Sequence, residues 1–164
     1  MTDLLDMVYE YRLLLSKAER LQIPLDEGET ARLMGLARLL EGEAPSKDAR
    51  RRMPRLPFPS AVQFTIPGGF AIGEVRNVSG GGLSVITRAR VDEHARTIVR
   101  IARPSEGVEY VFPCRVAWRT IDGLPMVGFE FDGVPSLTSY SAAPRGAWGA
   151  DLRFGRHPGA TMTV

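Results

Sequence analysis

Two stretches carry the side chains best suited to chemistry in this 164-residue chain: Asn77-Val78-Ser79-Gly80-Gly81-Gly82, and upstream the run Arg50-Arg51-Arg52-Met53-Pro54-Arg55. Alternation along a strand puts Asn77 and Ser79 on one face, and the glycines behind them let the chain turn with no side chain in the way. That makes a small polar ledge. Arginines delivered from a preceding segment can close over it, presenting fixed forks of donors that suit phosphates and the O6/N7 edge of guanine. An anionic guanine nucleotide fits such an arrangement. Taken singly, an Asn-x-Ser before glycine is an ordinary strand end entering a turn, and an arginine run is a solvated linker. The pair, separated by one predicted strand, is what carries information.

Other chemistry finds little support. The chain has two histidines, His94 in a predicted turn and His157 near the end; no Cys/His cluster offers metal-ligand spacing, and no Ser/His/Asp or Cys/His set can be assembled with a histidine on a rigid element. The glycines at 80 to 82 lack the Lys-Ser/Thr of a phosphate-binding P-loop, and no helix is predicted behind them. The single Cys114 falls within the apolar alternation of Val111 to Trp118, the setting of a buried strand cysteine. No catalytic residue, metal site or cofactor is expected.

The elements that must position the ledge follow from periodicity. Residues 2 to 21 read as an amphipathic helix, with Leu4, Val8, Tyr11, Leu15 and Ala18 on one face, ended by Pro24. Asp26 with Glu29 fits a capping box opening a second helix, whose apolar stripe is Leu33, Leu36, Ala37 and Leu40. This hairpin has little core of its own. Its apolar faces need either a copy of themselves, making a homo-oligomer, or the rest of their own chain. Residues 43–59 turn to Ala, Pro, Ser, Lys and Arg, the composition of a linker. Beyond it, strands are predicted at 60 to 66, 72 to 79, 82 to 87, 96 to 103, 108 to 120 and 125 to 131. Phe112, Cys114, Val116 and Trp118 share one predicted core face, and Val127, Phe129 and Phe131 another. A helical turn or two is expected over Val134 to Tyr140. The expected organisation is a hairpin over 1–42, a linker over 43–59, an all-β domain over 60–140 and a disordered tail over 141–164, in which Trp148 and Phe154 are the only aromatic residues.

Charge divides along the same line. Residues 1–48 carry six Lys/Arg against ten Asp/Glu, a net −4, and the remaining residues carry 15 against 9, a net +6, within an overall +2. The positive charge clusters at 50 to 55 rather than spreading over a face interleaved with aromatics, so nucleic-acid binding is not expected. No apolar run approaches the ~20 residues that span a bilayer, and the acidic start, Met-Thr-Asp-Leu-Leu-Asp, is unlike a secretory signal. A cytoplasmic location is the expectation.

Arg51 and Arg55 as Arg-x-x-x-Arg, followed after one strand by Asn77, Ser79 and Gly82 as Asn-x-Ser-x-x-Gly, resemble the signature of the PilZ domain family. The resemblance extends through Arg-Leu-Pro-Phe at 55 to 58, Gly73-Glu74-Val75, Gly82-Leu83-Ser84-Val85, Arg115 to Trp118 and Val127 to Phe131, covering roughly residues 50 to 133. It implies a mainly β fold, a six-stranded antiparallel barrel preceded here by the α-helical hairpin. It also implies a non-enzymatic receptor for cyclic di-GMP, a dianionic bacterial second messenger, that relays the signal to a partner protein. By the resemblance Arg51 and Arg55 contact phosphates and guanine edges, Asn77 and Ser79 bond the other guanine, and Gly82 keeps the turn free of a Cβ. Arg50 and Arg52 stand beside the motif and can join it. The alternative is a ligand-independent interaction module that uses the barrel as scaffold.

Overall fold

The computed structural model describes residues 3–41 and 55–139. Six antiparallel strands, β1 (Leu56–Ile66), β2 (Gly69–Val78), β3 (Gly82–Ile86), β4 (Arg96–Arg103), β5 (Val108–Arg119) and β6 (Met126–Phe131), close into a barrel in the cyclic order β1-β2-β3-β6-β5-β4. The β4–β5 and β1–β4 ladders close it, so no long edge is left open. Alternate residues of each strand fill the interior, among them Val62, Phe64, Val75, Val85, Val99, Ile101, Phe112, Cys114, Val116, Val127 and Phe129. Phe64 tilts against Phe129 at 5.2 Å between ring centroids, and Phe112 stacks on Phe131 at 4.7 Å. The β1–β2 hairpin turns at Pro67-Gly68, where Gly68 takes a φ of 84° that a side chain would strain.

The mainly β, six-stranded barrel with two N-terminal helices is the expected fold, with two departures. β1 begins at Leu56, within the expected linker, because the prolines that stiffen this segment keep it extended. It pairs with β2 from Leu56↔Val78 and Pro57↔Asn77 onward. The helical turn expected over Val134 to Tyr140 is instead a short strand, β7 (Ser136–Ser139), paired with Val108–Val111 of β5; Tyr140 lies outside the described residues. β6 covers only Cys114–Arg119, so the first residues of β5 have unpaired backbone groups on that side, and the chain leaving β6 supplies them. The tail 141–164, linker residues 43–54 and the expectations for Trp148, Phe154 and His157 lie outside the described residues.

The hairpin consists of α1 (Leu4–Glu19) and α2 (Glu27–Glu41). Asp26 opens α2 as expected, its Oδ1 accepting from the Glu29 N–H at 2.7 Å while Glu29 accepts from the Asp26 N–H at 3.1 Å. Asp3 and Asp6 make a second capping box on α1. Lys17 on α1 pairs with Glu29 on α2 at 2.5 Å.

α1 docks on its own barrel, at the end where β4 and β6 finish and β5 begins. Tyr9 meets Tyr110 edge-on at 5.6 Å, and the Tyr110 hydroxyl donates to Asp6. Asp3 pairs with Arg103, Arg20 pairs with Asp132 at 2.5 Å, and the Ser16 hydroxyl donates to the Gly133 carbonyl at 3.3 Å. Leu5 and Val8 are wholly buried, worth about 1.5–3 kcal/mol each by transfer energies. The apolar face of α1 is thereby covered within the chain. On and beside α2, Leu21, Ile23, Met34 and Leu39 remain exposed.

Candidate functional site

Strict alternation would put Asn77 on the same face as Val75, which is inside the barrel. A β-bulge intervenes. Val75 pairs with Val85 and Asn77 with Ser84, leaving Arg76 as the extra residue, so Asn77 turns outward. β5 has the same device: Val116 pairs with Phe129 and Trp118 with Gly128, with Ala117 extra. Trp118, expected in the core, is therefore on the outer surface. One cross-strand row, Asn77↔Ser84↔Gly128↔Trp118, now runs over β2, β3, β6 and β5 on that outer face.

Contacts along this row are close. The Ser84 hydroxyl, wholly buried, donates to the Asn77 Oδ1 at 2.7 Å. That bond fixes the carboxamide and leaves its Nδ2 donor without a protein partner among the described residues. The Trp118 indole packs against Gly128, where a Cβ would come within 2.2 Å of the ring, so only glycine lets the indole sit there. Arg55, immediately before β1, places its guanidinium over the Trp118 ring at 5.4 Å from the centroid. The structure thus brings Arg55 and Asn77 to one outer face, with an aromatic platform belonging to the same row.

Ser79 and Gly82 form the adjoining turn. The Ser79 N–H donates to the Gly82 carbonyl at 2.8 Å, and its hydroxyl donates to the same carbonyl at 3.3 Å while accepting from the Gly81 N–H at 3.2 Å. This hydroxyl holds the turn together. Gly82 answers to packing: a Cβ there would stand 2.1 Å from the Phe129 carbonyl oxygen of β6, so a side chain would push β3 from its neighbour. The turn is also tied to α1 through Phe131. The Phe131 N–H donates to the Gly81 carbonyl at 2.9 Å, and the Phe131 carbonyl accepts from Arg12 Nη2 at 3.3 Å. Burial lowers the Arg12 pKa from its ordinary value, and its Nε has no partner among the described residues.

Arg51, with Arg50 and Arg52, lies outside the described residues. Trp118 and Ser84 are the residues that sequence reasoning missed. The glycine at 128, opposite a tryptophan across two strands, was the available signal. Among the described residues no group of three or more His, Cys, Asp or Glu side chains could hold a metal, and no helix is long and apolar enough to cross a membrane. Burial pushes the Cys114 thiol well above its usual range, in keeping with an inert core position.

No curated protein matches the chain. Several solved structures are similar to it, among them the following two. One is a K. pneumonia MrkH–c-di-GMP complex, at 8% identity and a TM-score of 0.40 over 50% of this chain and 35% of that one, so this chain spans about a third of MrkH. The other is the PilZ domain of CeSA from a cellulose synthesizing bacterium, at 21% identity and a TM-score of 0.38 over 49% of this chain and 84% of that one. The model of the PilZ domain matches residues 49–139, more than half of the chain, and takes in both the arginine run and the Asn77–Gly82 turn. The chain belongs to the PilZ domain family.

Proposed function

We propose that this chain is a non-enzymatic receptor for cyclic di-GMP, bound on the outer face of the barrel beside the Ser79–Gly82 turn. The observation that carries the reading is the convergence of Arg55 and Asn77, from separate halves of the family motif, on the row that ends in Trp118. Arg51 and Arg55 hold phosphate and guanine edges, and the Asn77 Nδ2 donates to a guanine acceptor. Ser79 acts mainly by fixing the turn, with a remaining lone pair for the ligand. Gly82 keeps β3 against β6. Arg50 and Arg52 reinforce the positive approach. No cofactor takes part.

In this reading the protein works in the cytoplasm and passes the signal to a partner protein. Self-association uses the surface that α1 does not occupy, the exposed Leu21, Ile23, Met34 and Leu39 on and beside α2. Isothermal titration calorimetry of the full chain with cyclic di-GMP tests the central reading. Saturable heat supports the receptor. No heat at millimolar ligand leaves the barrel as a ligand-independent scaffold for protein interaction.

A further inference from the structure

The end of the barrel opposite α1 has a charge pattern that the ligand motif does not use. Most described arginines near carboxylates are paired: Arg20 and Arg115 with Asp132, Arg32 with Glu10, Arg103 with Asp3 and Glu106. Arg88, Arg90 and Arg119 have no carboxylate partner among the described residues, and all three line one cavity of about 430 Å³. Its other walls are Thr87, Ala89 and Thr120 with the apolar Ile121, Pro125, Met126 and Val127, and no acidic residue lines it. Arg76, also without a carboxylate partner, rests on the Met126 sulfur at 3.3 Å from the outer side.

This concavity is built into the fold. The Thr87 N–H donates to the Pro125 carbonyl at 3.1 Å, and the Thr87 hydroxyl donates to the Ile72 carbonyl at 3.0 Å, pinning the segment after β3 to two neighbours. The Thr120 hydroxyl closes the facing turn on the Leu124 carbonyl at 3.0 Å. Arg119 is held in place through Nη1, which donates to the Val91 carbonyl at 3.0 Å, leaving the rest of its fork for a ligand. Like charges gathered without counter-charge raise the local potential, and they favour an anion that several guanidinium groups can share. The volume falls in the range of small-molecule sites, and the mixed lining suits a ligand with one anionic end and one apolar end.

We propose that this cavity is a second ligand site, for the phosphate ester of a small molecule: Arg88, Arg90 and Arg119 hold the phosphate, and Ile121, Pro125 and Met126 take the organic part. It is distinct from the motif. The Ser79–Gly82 turn and Thr87 stand at opposite ends of β3 (Gly82–Ile86), a strand that alone spans roughly 17 Å.

Amide NMR of the full chain titrated with phenyl phosphate tests it. Saturable shifts at Ala89, Arg90, Thr120 and Ile121 are expected, with inorganic phosphate binding more weakly at the same amides. Arg88→Gln with Arg90→Gln, residues whose side chains hold no partner among the described residues, should weaken phenyl phosphate about tenfold or more. Arg55→Ala should leave that titration as in the wild type. Three results overturn the proposal: no saturable shift at these amides, shifts centred on Ser79–Gly82 that disappear with Arg55→Ala, or a hexaglutamate peptide binding there more tightly than phenyl phosphate, which would make the cavity a seat for an acidic protein segment.

Discussion

The guanidinium of Arg55 rests over the indole of Trp118, 5.4 Å from the ring centroid. Arg55 is exposed and Trp118 half-buried, and a surface pair of this kind is worth about 0.5–1 kcal/mol, enough to orient an arginine and little enough to release it to a ligand. Trp118→Ala should therefore lower cyclic di-GMP affinity by about three- to tenfold, and should also lower the melting temperature, since the half-buried ring packs on Gly128. In a Trp148→Phe background, where Trp118 is the remaining tryptophan, ligand should also change its fluorescence. Calorimetry and fluorescence titration check the two halves.

Asn77 has a structural duty beside its proposed ligand contact, because the buried Ser84 hydroxyl depends on it. Asn77→Ala should destabilise the barrel by about 1–3 kcal/mol by leaving that hydroxyl unpaired. Asn77→Asp keeps an acceptor at the same place and should retain most of the stability. Urea midpoints of the two variants give the comparison. Equal midpoints would mean that the Ser84 bond contributes nothing.

Docking of α1 should weaken in acid. The carboxylate of Asp132, held by Arg20 at the C-cap of α1 and then by Arg115 of β5, has its pKa lowered from the ordinary 3.8. A carboxylate whose folded pKa is depressed contributes stability above its unfolded pKa and loses it as pH falls through the folded one. The contribution is thus full above about pH 5 and declines below pH 4. Hydrogen exchange of α1 amides should quicken over that window, and Asp132→Asn should show the faster exchange already at neutral pH.

Self-association has a restricted surface, since the buried Leu5, Val8, Tyr11 and Leu14 of α1 are not available to a second copy. A dimer at micromolar concentration is expected by light scattering, reverting to monomer with Leu39→Glu. A wild-type monomer under those conditions would give the hairpin no role beyond its own barrel.

The barrel was legible because period-two alternation and turn residues report strands directly, and the capping box of α2, Asp26 with Glu29, reported a helix start. The motif was legible as residue types at a spacing. What alternation could not show were the bulges at Arg76 and Ala117: each moves the residues beyond it to the other face, which is why Trp118 read as core and lies outside. β7 was missed for a related reason. A four-residue strand with every side chain exposed has no apolar pattern, and its pairing is set by the vacancy beside β5. The docking of α1 rests on long-range polar partners, such as Arg20 with Asp132, whose spacing in the sequence carries no signal.

The affinity of the Arg55→Ala variant for cyclic di-GMP, measured by calorimetry beside the wild type, bears most directly on the receptor reading. Losing a charge-assisted bond to bound ligand costs about 1.5–3 kcal/mol, so the variant should bind roughly ten- to hundredfold more weakly, and added salt should weaken the wild type as well. Wild-type affinity in Arg55→Ala would contradict the account and move the ligand away from the Asn77–Trp118 face.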